Sequence, residues 1–153
     1  MVAAGSVAAC TLGRGIERGT FERMRTASLA IESAISAREP LPRYRQLVTE
    51  YSAALDATKD SVRTDREQAL LAQYESARPR LEDIQRVWEA RTARGETELL
   101  PISEPLAARL AREYDLPVNT NEPPSIYANE ALQAIWAQAR ATLEAANAIL
   151  DGR

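Results

Sequence analysis

The side chains that could do chemistry in this chain are mainly carboxylates and arginines, since the sequence has no histidine and a single cysteine. Asp56, Asp60 and Asp65 lie close together in sequence and could share a general acid–base role. We interpret them instead as solvated acids near helix ends, because Asp65 falls in the first turn of a predicted helix, where acids are favoured. Without histidine, neither a Ser-His-Asp nor a Cys-His arrangement can be built. We therefore expect a protein that is not an enzyme.

Metal ions, cofactors and nucleic acids are also disfavoured as ligands. Di-iron bundles use Glu-x-x-His pairs, and most zinc sites use Cys or His ligands. The segment Gly13-Arg14-Gly15 is not a phosphate loop, since no strand precedes it and no Lys-Ser/Thr follows it. The formal net charge is −3, and the arginines are interspersed with acids rather than gathered on a basic face. We expect no metal, no cofactor and no nucleic-acid partner.

Two clusters could still bind a small ligand. Arg43-Tyr44-Arg45 could hold an anion at a helix start, although we favour a core tyrosine flanked by arginines that pair with nearby acids such as Glu39. Trp88 and Trp136 lie on the apolar stripes of two predicted helices. A tryptophan there usually fills core volume, but these two could also mark a pocket for a small apolar ligand.

The N-terminal stretch Val7-Ala8-Ala9-Cys10 resembles the lipobox of bacterial lipoproteins, in which small residues precede a cysteine. The resemblance covers four residues and implies cleavage before Cys10 and a diacylglycerol on its thiol. A signal peptide also requires a basic n-region and a longer apolar core, and no Lys or Arg precedes Cys10. The leader would then begin upstream of Met1. If Met1 is the true start and Cys10 is not processed, a cytoplasmic protein is expected instead.

The resemblance divides the chain into a signal-like lipid-anchor segment and tether over residues 1–15 and a helical domain over residues 16–153. An acylated cysteine that carries two or three chains is sufficient for stable membrane anchoring. The lipobox resemblance implies that the protein lies in the periplasm or on the outer face of a bacterial membrane, with membrane lipid as one partner.

The longest predicted helix covers residues 64–94 and would position most of these side chains. Its apolar positions recur in steps of three and four, which places them on one helix face, and they are Leu70, Tyr74, Ala77, Leu81, Ile84 and Trp88. Thr64 and Glu67 have the spacing of a capping box. Pro79 should bend this helix rather than end it, because the apolar stripe resumes in phase.

The same periodicity predicts helices over residues 20–38, 42–62 and 127–150, together with a shorter one that begins at a Ser103 cap. Pro40 separates the first two helices, and Gly95 is a plausible left-handed cap for the longest one. The fold class is therefore all-α, an antiparallel helical bundle of four long helices plus one short helix.

Two segments between the predicted helices are candidate interaction surfaces. Residues 99–102 form an apolar connector, and residues 115–125 should form an extended surface loop whose length approaches that of functional loops. The candidate interaction residues in these segments are Leu99, Leu100, Ile102, Leu116, Val118, Asn119 and Asn121.

Three functional hypotheses follow from the sequence. In the first, a lipid-anchored, non-enzymatic protein acts as an accessory or scaffold subunit of a bacterial membrane protein complex. In the second, the chain carries a small apolar ligand in the cell envelope, between the helices that bear Trp88 and Trp136. A soluble cytoplasmic bundle of unknown role is the third alternative.

Overall fold

A computed structural model describes residues 15–152 of the chain. It contains five helices, α1 (Arg18–Ser36), α2 (Leu41–Lys59), α3 (Asp65–Ala93), α4 (Pro105–Glu113) and α5 (Ala128–Asp151), and two short strands, β1 (Leu99–Pro101) and β2 (Ser125–Tyr127). The all-α prediction of four long helices and one short helix is confirmed.

The four long helices form an up-and-down bundle in which α3 packs against α2 and α5, and α1 packs against the same two neighbours. The hydroxyl of Tyr51 on α2 donates to the carbonyl of Tyr74 on α3 at 2.7 Å, while Arg45, earlier on α2, pairs with Glu89, later on α3, at 2.8 Å. This order of contacts makes α2 and α3 antiparallel, as predicted.

Local signals in the sequence explain how α3 begins and continues. The Thr64 hydroxyl accepts from the Glu67 backbone N–H, and the Glu67 carboxylate accepts from the Thr64 backbone N–H, so the predicted capping box is present. Helix α3 also passes through Pro79 without ending. Gly95 follows α3 in the left-handed conformation, with φ of +71°.

The connector and the long loop differ from their predictions. The connector is strand β1, which pairs antiparallel with β2 in the register Leu99↔Tyr127, Leu100↔Ile126 and Pro101↔Ser125. The loop before β2 is tied to it by the bridge Asn119↔Ser125, and its predicted last residue is part of the strand. The sequence does not predict these short strand pairings, because the segments contain prolines and lack a regular alternation of apolar and polar residues. The residue that caps α4 is Glu104 rather than Ser103, and its side chain makes no capping hydrogen bond.

Candidate functional site

A cleft of about 490 Å³ opens beside α1, α3 and α5 at the end of the bundle where α1 and α3 end and α5 begins. Its apolar and aromatic side chains come from all three helices, and its polar groups are two arginines and two amides. The lining residues are Ile35, Arg38, Ile84, Trp88, Arg91, Asn129, Leu132, Gln133 and Trp136. The cleft therefore brings together the two tryptophans that the sequence marked as possible pocket residues.

The end of α1 explains why a cleft forms here. Helix α1 ends at Ser36, and the chain turns away through Arg38 toward α2. Helix α1 also packs less extensively against α5 than α3 does. As a result Trp88, Leu132 and Trp136, which the helical pattern predicts to be core residues, are only partly buried.

The Trp88 ring packs against the ring of Tyr44 on α2. The two ring centroids lie 5.8 Å apart with an interplanar angle of 48°. Tyr44 is itself 1% exposed, and its hydroxyl donates to the Leu81 carbonyl at 3.1 Å. Burial raises the pKa of the Tyr44 hydroxyl well above its usual range. Tyr44 is thus a neutral, hydrogen-bonded core residue that contacts the Trp88 ring.

Tyr44 therefore belongs to the core, in agreement with the interpretation favoured from the sequence. The neighbouring arginines do pair with acids, but not with Glu39: Arg45 lies 2.8 Å from Glu89 and Arg43 lies 4.0 Å from Glu50.

The two arginines that line the cleft differ in their partners. Arg91 pairs with Glu98 at 2.9 Å and with Glu96 at 3.2 Å, and its Nη1 donates to the Asn129 side-chain oxygen at 3.1 Å. Arg38 is exposed and has no ion-pair or hydrogen-bond partner for its side chain among residues 15–152. The cleft mouth therefore carries one compensated and one uncompensated positive charge.

The predicted interaction residues divide into surface and core positions. Leu99 and Val118 are 39% and 38% exposed, and Asn119, Asn121 and Ile102 are at least partly accessible. Leu100 and Leu116 are 1% and 8% exposed, so the expectation that these two residues contact a partner is wrong. Leu100 turns inward because side chains alternate along β1, and Leu116 packs into the hydrophobic core.

Asp56, Asp60 and Asp65 are all exposed, which agrees with their interpretation as solvated acids near helix ends. Asp56 lies 3.7 Å from Lys59. The buried carboxylates of the described residues are Glu67 and Asp83 instead. The sequence holds a signal for the burial of Asp83, since this residue lies four positions before the buried Val87 on the inner face of α3.

Asp83 attaches the short helix α4 to the bundle. Its carboxylate accepts two hydrogen bonds from Arg109 at 2.9 and 2.5 Å and one from the Tyr114 hydroxyl at 2.9 Å. Arg86 adds a contact at 3.1 Å. Burial by itself would raise the pKa of the Asp83 carboxyl, but the hydrogen bonds and positive charges outweigh it and hold the pKa below its ordinary value. We interpret this cluster as structural, because the buried Asp83 carboxylate of α3 joins Arg109 and Tyr114 to the bundle.

Neither metal-binding clusters nor membrane-spanning helices are found among residues 15–152. No group of three or more metal-ligating side chains converges there, and no helix in that range is long and apolar enough to cross a bilayer. The lipobox-like segment with Cys10 lies outside the described residues. Comparison of the chain with protein-family models, curated proteins and solved structures gives no significant match.

Proposed function

We propose that this chain is a non-enzymatic binding protein that holds a small, largely apolar ligand in the cleft between Trp88 and Trp136. One observation carries the proposal: the only two tryptophans of the sequence line the same cavity and remain partly accessible there. Partly buried indole rings that face an open space can supply a large apolar contact area. The volume of about 490 Å³ lies in the range of small-molecule sites.

The composition of the cleft supports the same function. Ile35, Ile84 and Leu132 add aliphatic surface to that of the indole rings, and four of the nine lining residues are polar. Small-molecule sites are commonly apolar with a small number of polar groups that fix orientation. The cleft therefore supports binding of an apolar molecule in an orientation set at its polar end. We define this polar end as Arg38, Arg91, Asn129 and Gln133.

Intrinsic fluorescence tests the proposal directly, because both tryptophans of the chain line the cleft and no other tryptophan contributes background. Titration with 1-octanol and 1-decanol is expected to give a saturable change in emission. Each additional methylene that is buried contributes about 0.8 kcal/mol, so affinity should rise about fourfold per methylene. Absence of any saturable change with either alcohol contradicts the proposal.

A pair of matched variants separates the cleft from non-specific partitioning. Leu132→Phe enlarges a side chain that lines the cleft and is expected to weaken decanol binding. Leu29→Phe makes the same change at an exposed leucine of α1 outside the cleft lining and should leave binding unchanged. Equal behaviour of the two variants counts against the cleft as the binding site.

We propose a second candidate function, that of a lipid-anchored accessory subunit of a bacterial membrane complex. The specific observation in its favour is an exposed apolar surface on and beside the small sheet. Leu99 and Tyr127 lie opposite each other in the register and are 39% and 40% exposed, and Val118 is 38% exposed. Asn119, next to Val118, donates to the Tyr127 hydroxyl at 3.1 Å, which keeps these side chains close together.

Two measurements test the accessory role. Mass spectrometry of the native protein from a membrane fraction should find a diacylglycerol on Cys10, and an unmodified Cys10 contradicts the anchor. Co-purification from solubilised membranes should lose its specific partner when Leu99 and Val118 are both replaced by serine. Ile149→Ser, at a 44% exposed position on α5, is the matched control and should retain that partner.

A further inference from the structure

We infer that the cleft selects an amphiphilic monoanion, an apolar molecule with a single carboxylate that pairs with Arg38. This inference rests on the proposed binding function and adds the chemical class of the ligand. It depends on the distribution of charge around the cleft, on the hydrogen-bonding groups at its polar end and on the position of Arg38 in the chain.

Arg38 is the charged side chain of the cleft lining that is left without an ion-pair partner in the described part of the chain. Of the described residues that line the cleft, two are arginines and none is acidic. Arg91 is already compensated by Glu96 and Glu98 at 3.2 and 2.9 Å, whereas Arg38 has no acidic partner within residues 15–152. A ligand with one carboxylate would pair with the Arg38 guanidinium, whereas the cleft lining offers a cationic amphiphile no carboxylate to pair with among the described residues.

The hydrogen-bonding groups at the polar end are mainly donors. Because Arg91 Nη1 donates to the Asn129 side-chain oxygen at 3.1 Å, the acceptor of that amide is in use and its N–H groups remain as donors. The Arg38 guanidinium supplies further donors in a planar fork that suits a carboxylate. Gln133 can donate or accept. A carboxylate, which only accepts, matches this set better than a hydroxyl or an ammonium group does.

Arg38 occupies an unusual backbone position. It follows α1 with φ of +54°, a left-handed conformation that glycine adopts most readily at helix ends. The turn is closed by hydrogen bonds from Arg38 N to the Ile35 carbonyl at 3.1 Å and from Glu39 N to the Ala34 carbonyl at 2.9 Å. An arginine in this place is less favourable for the backbone than glycine, yet it adds a positive charge to the cleft lining.

The experiment compares three probes with the same ten-carbon chain, namely decanoate, 1-decanol and decyltrimethylammonium, by tryptophan fluorescence. Decanoate is expected to bind about fivefold more tightly than decanol, the effect of one partly exposed ion pair of about 1 kcal/mol. Decyltrimethylammonium should bind most weakly. Raising the salt concentration should reduce the advantage of decanoate, since exposed charge pairs are screened.

Two variants assign the preference to Arg38. Arg38→Gln is expected to remove most of the preference for decanoate while leaving decanol affinity unchanged. Arg66→Gln is the matched control, because Arg66 is exposed, has no ion-pair partner within the described range and lies near the start of α3, at the other end of the bundle. It should retain the preference.

The outcomes of this experiment distinguish the inference from the proposed function. Equal binding of decanoate and decanol to the wild-type chain overturns the inference and leaves the cleft as an apolar site. A uniform loss of affinity for both probes in Arg38→Gln overturns it as well, because that result assigns Arg38 a role in the turn rather than in selection. If no probe changes the emission, the binding function itself is contradicted.

Discussion

Replacement of Asp83 by asparagine tests the interpretation that this carboxylate holds α4 against the bundle. The substitution keeps the side-chain volume but removes the charge that accepts from Arg109 at 2.9 and 2.5 Å and from the Tyr114 hydroxyl at 2.9 Å. It also places an amide N–H₂ group among hydrogen-bond donors. Thermal and urea unfolding, followed by circular dichroism, measures the change in the free energy of unfolding.

The expected loss of unfolding free energy follows from the burial of Asp83 and the exposure of its arginine partners. Asp83 is 1% exposed, and hydrogen bonds to a charged group contribute about 1.5–3 kcal/mol each. The arginine partners reach solvent, with side chains 36% exposed for Arg109 and 53% for Arg86, so they can be rehydrated when the charge is lost. We therefore expect a loss of about 2 kcal/mol, well below the sum of the separate bonds. For a chain of this size the midpoint of thermal unfolding should fall by about 4–8 °C.

The pH dependence gives an independent check. The folded-state pKa of Asp83 lies below its ordinary value, so its stabilising contribution is complete above the unfolded-state pKa of about 3.9 and is lost as the pH falls through the lower folded-state pKa. The stability difference between the wild type and Asp83→Asn should therefore be constant near neutral pH and shrink below about pH 4.

The control for this prediction is Asp56→Asn, which removes an acid whose side chain is 68% exposed and lies 3.7 Å from Lys59. An exposed pair of this kind contributes little to stability, because solvent screens it. Equal effects of the Asp83 and Asp56 substitutions, or a difference that persists unchanged at pH 3, would refute the reasoning.

Two further predictions concern buried polar contacts elsewhere in the bundle. Glu67→Gln should destabilise the fold at neutral pH, because the Glu67 carboxylate accepts from the backbone N–H groups of Glu17, Arg63 and Thr64, and these bonds lower its pKa. The effect should be full above about pH 4.3, the ordinary glutamate value, and fade as the pH falls through the lower folded-state pKa, which urea unfolding at several pH values checks. Tyr74→Phe removes a 2.7 Å hydrogen bond to Asn147 and should lower the free energy of unfolding by about 1 kcal/mol, whereas a neutral result would show that this bond adds nothing to the contact between α3 and α5.

The sequence predicts the helices well because their signals are local. Residues three or four apart share a helix face, so the apolar stripe that begins at Leu70 fixes the orientation of α3 without knowledge of its neighbours. The capping box at Thr64 is likewise a contact between residues three apart. The continuation of α3 through Pro79 could be predicted because the stripe on either side of the proline remains in phase.

Contacts between distant residues are what the sequence could not supply. The sequence predicts an apolar connector at residues 99–102 and no strand, so it does not show that Leu100 faces inward opposite Ile126. Two of the partners of Asp83, Arg109 and Tyr114, lie 26 and 31 residues away in sequence, so its burial depends on where α4 packs. The hydrophobic pattern predicts that Trp88 and Trp136 lie on the apolar faces of their helices. That both line one cleft depends on where α1 ends, which this pattern does not give.

The most direct test of the binding cleft uses the two indole N–H signals of the chain in a ¹H–¹⁵N NMR spectrum. Trp88→Phe and Trp136→Phe each remove one signal and thereby assign both. On addition of decanoate, both indole signals of the wild type should shift together and saturate at one dissociation constant, because both rings line the same cavity. Indole signals that remain in place while the ligand is in excess, or that shift without saturating, would contradict a binding site between these tryptophans.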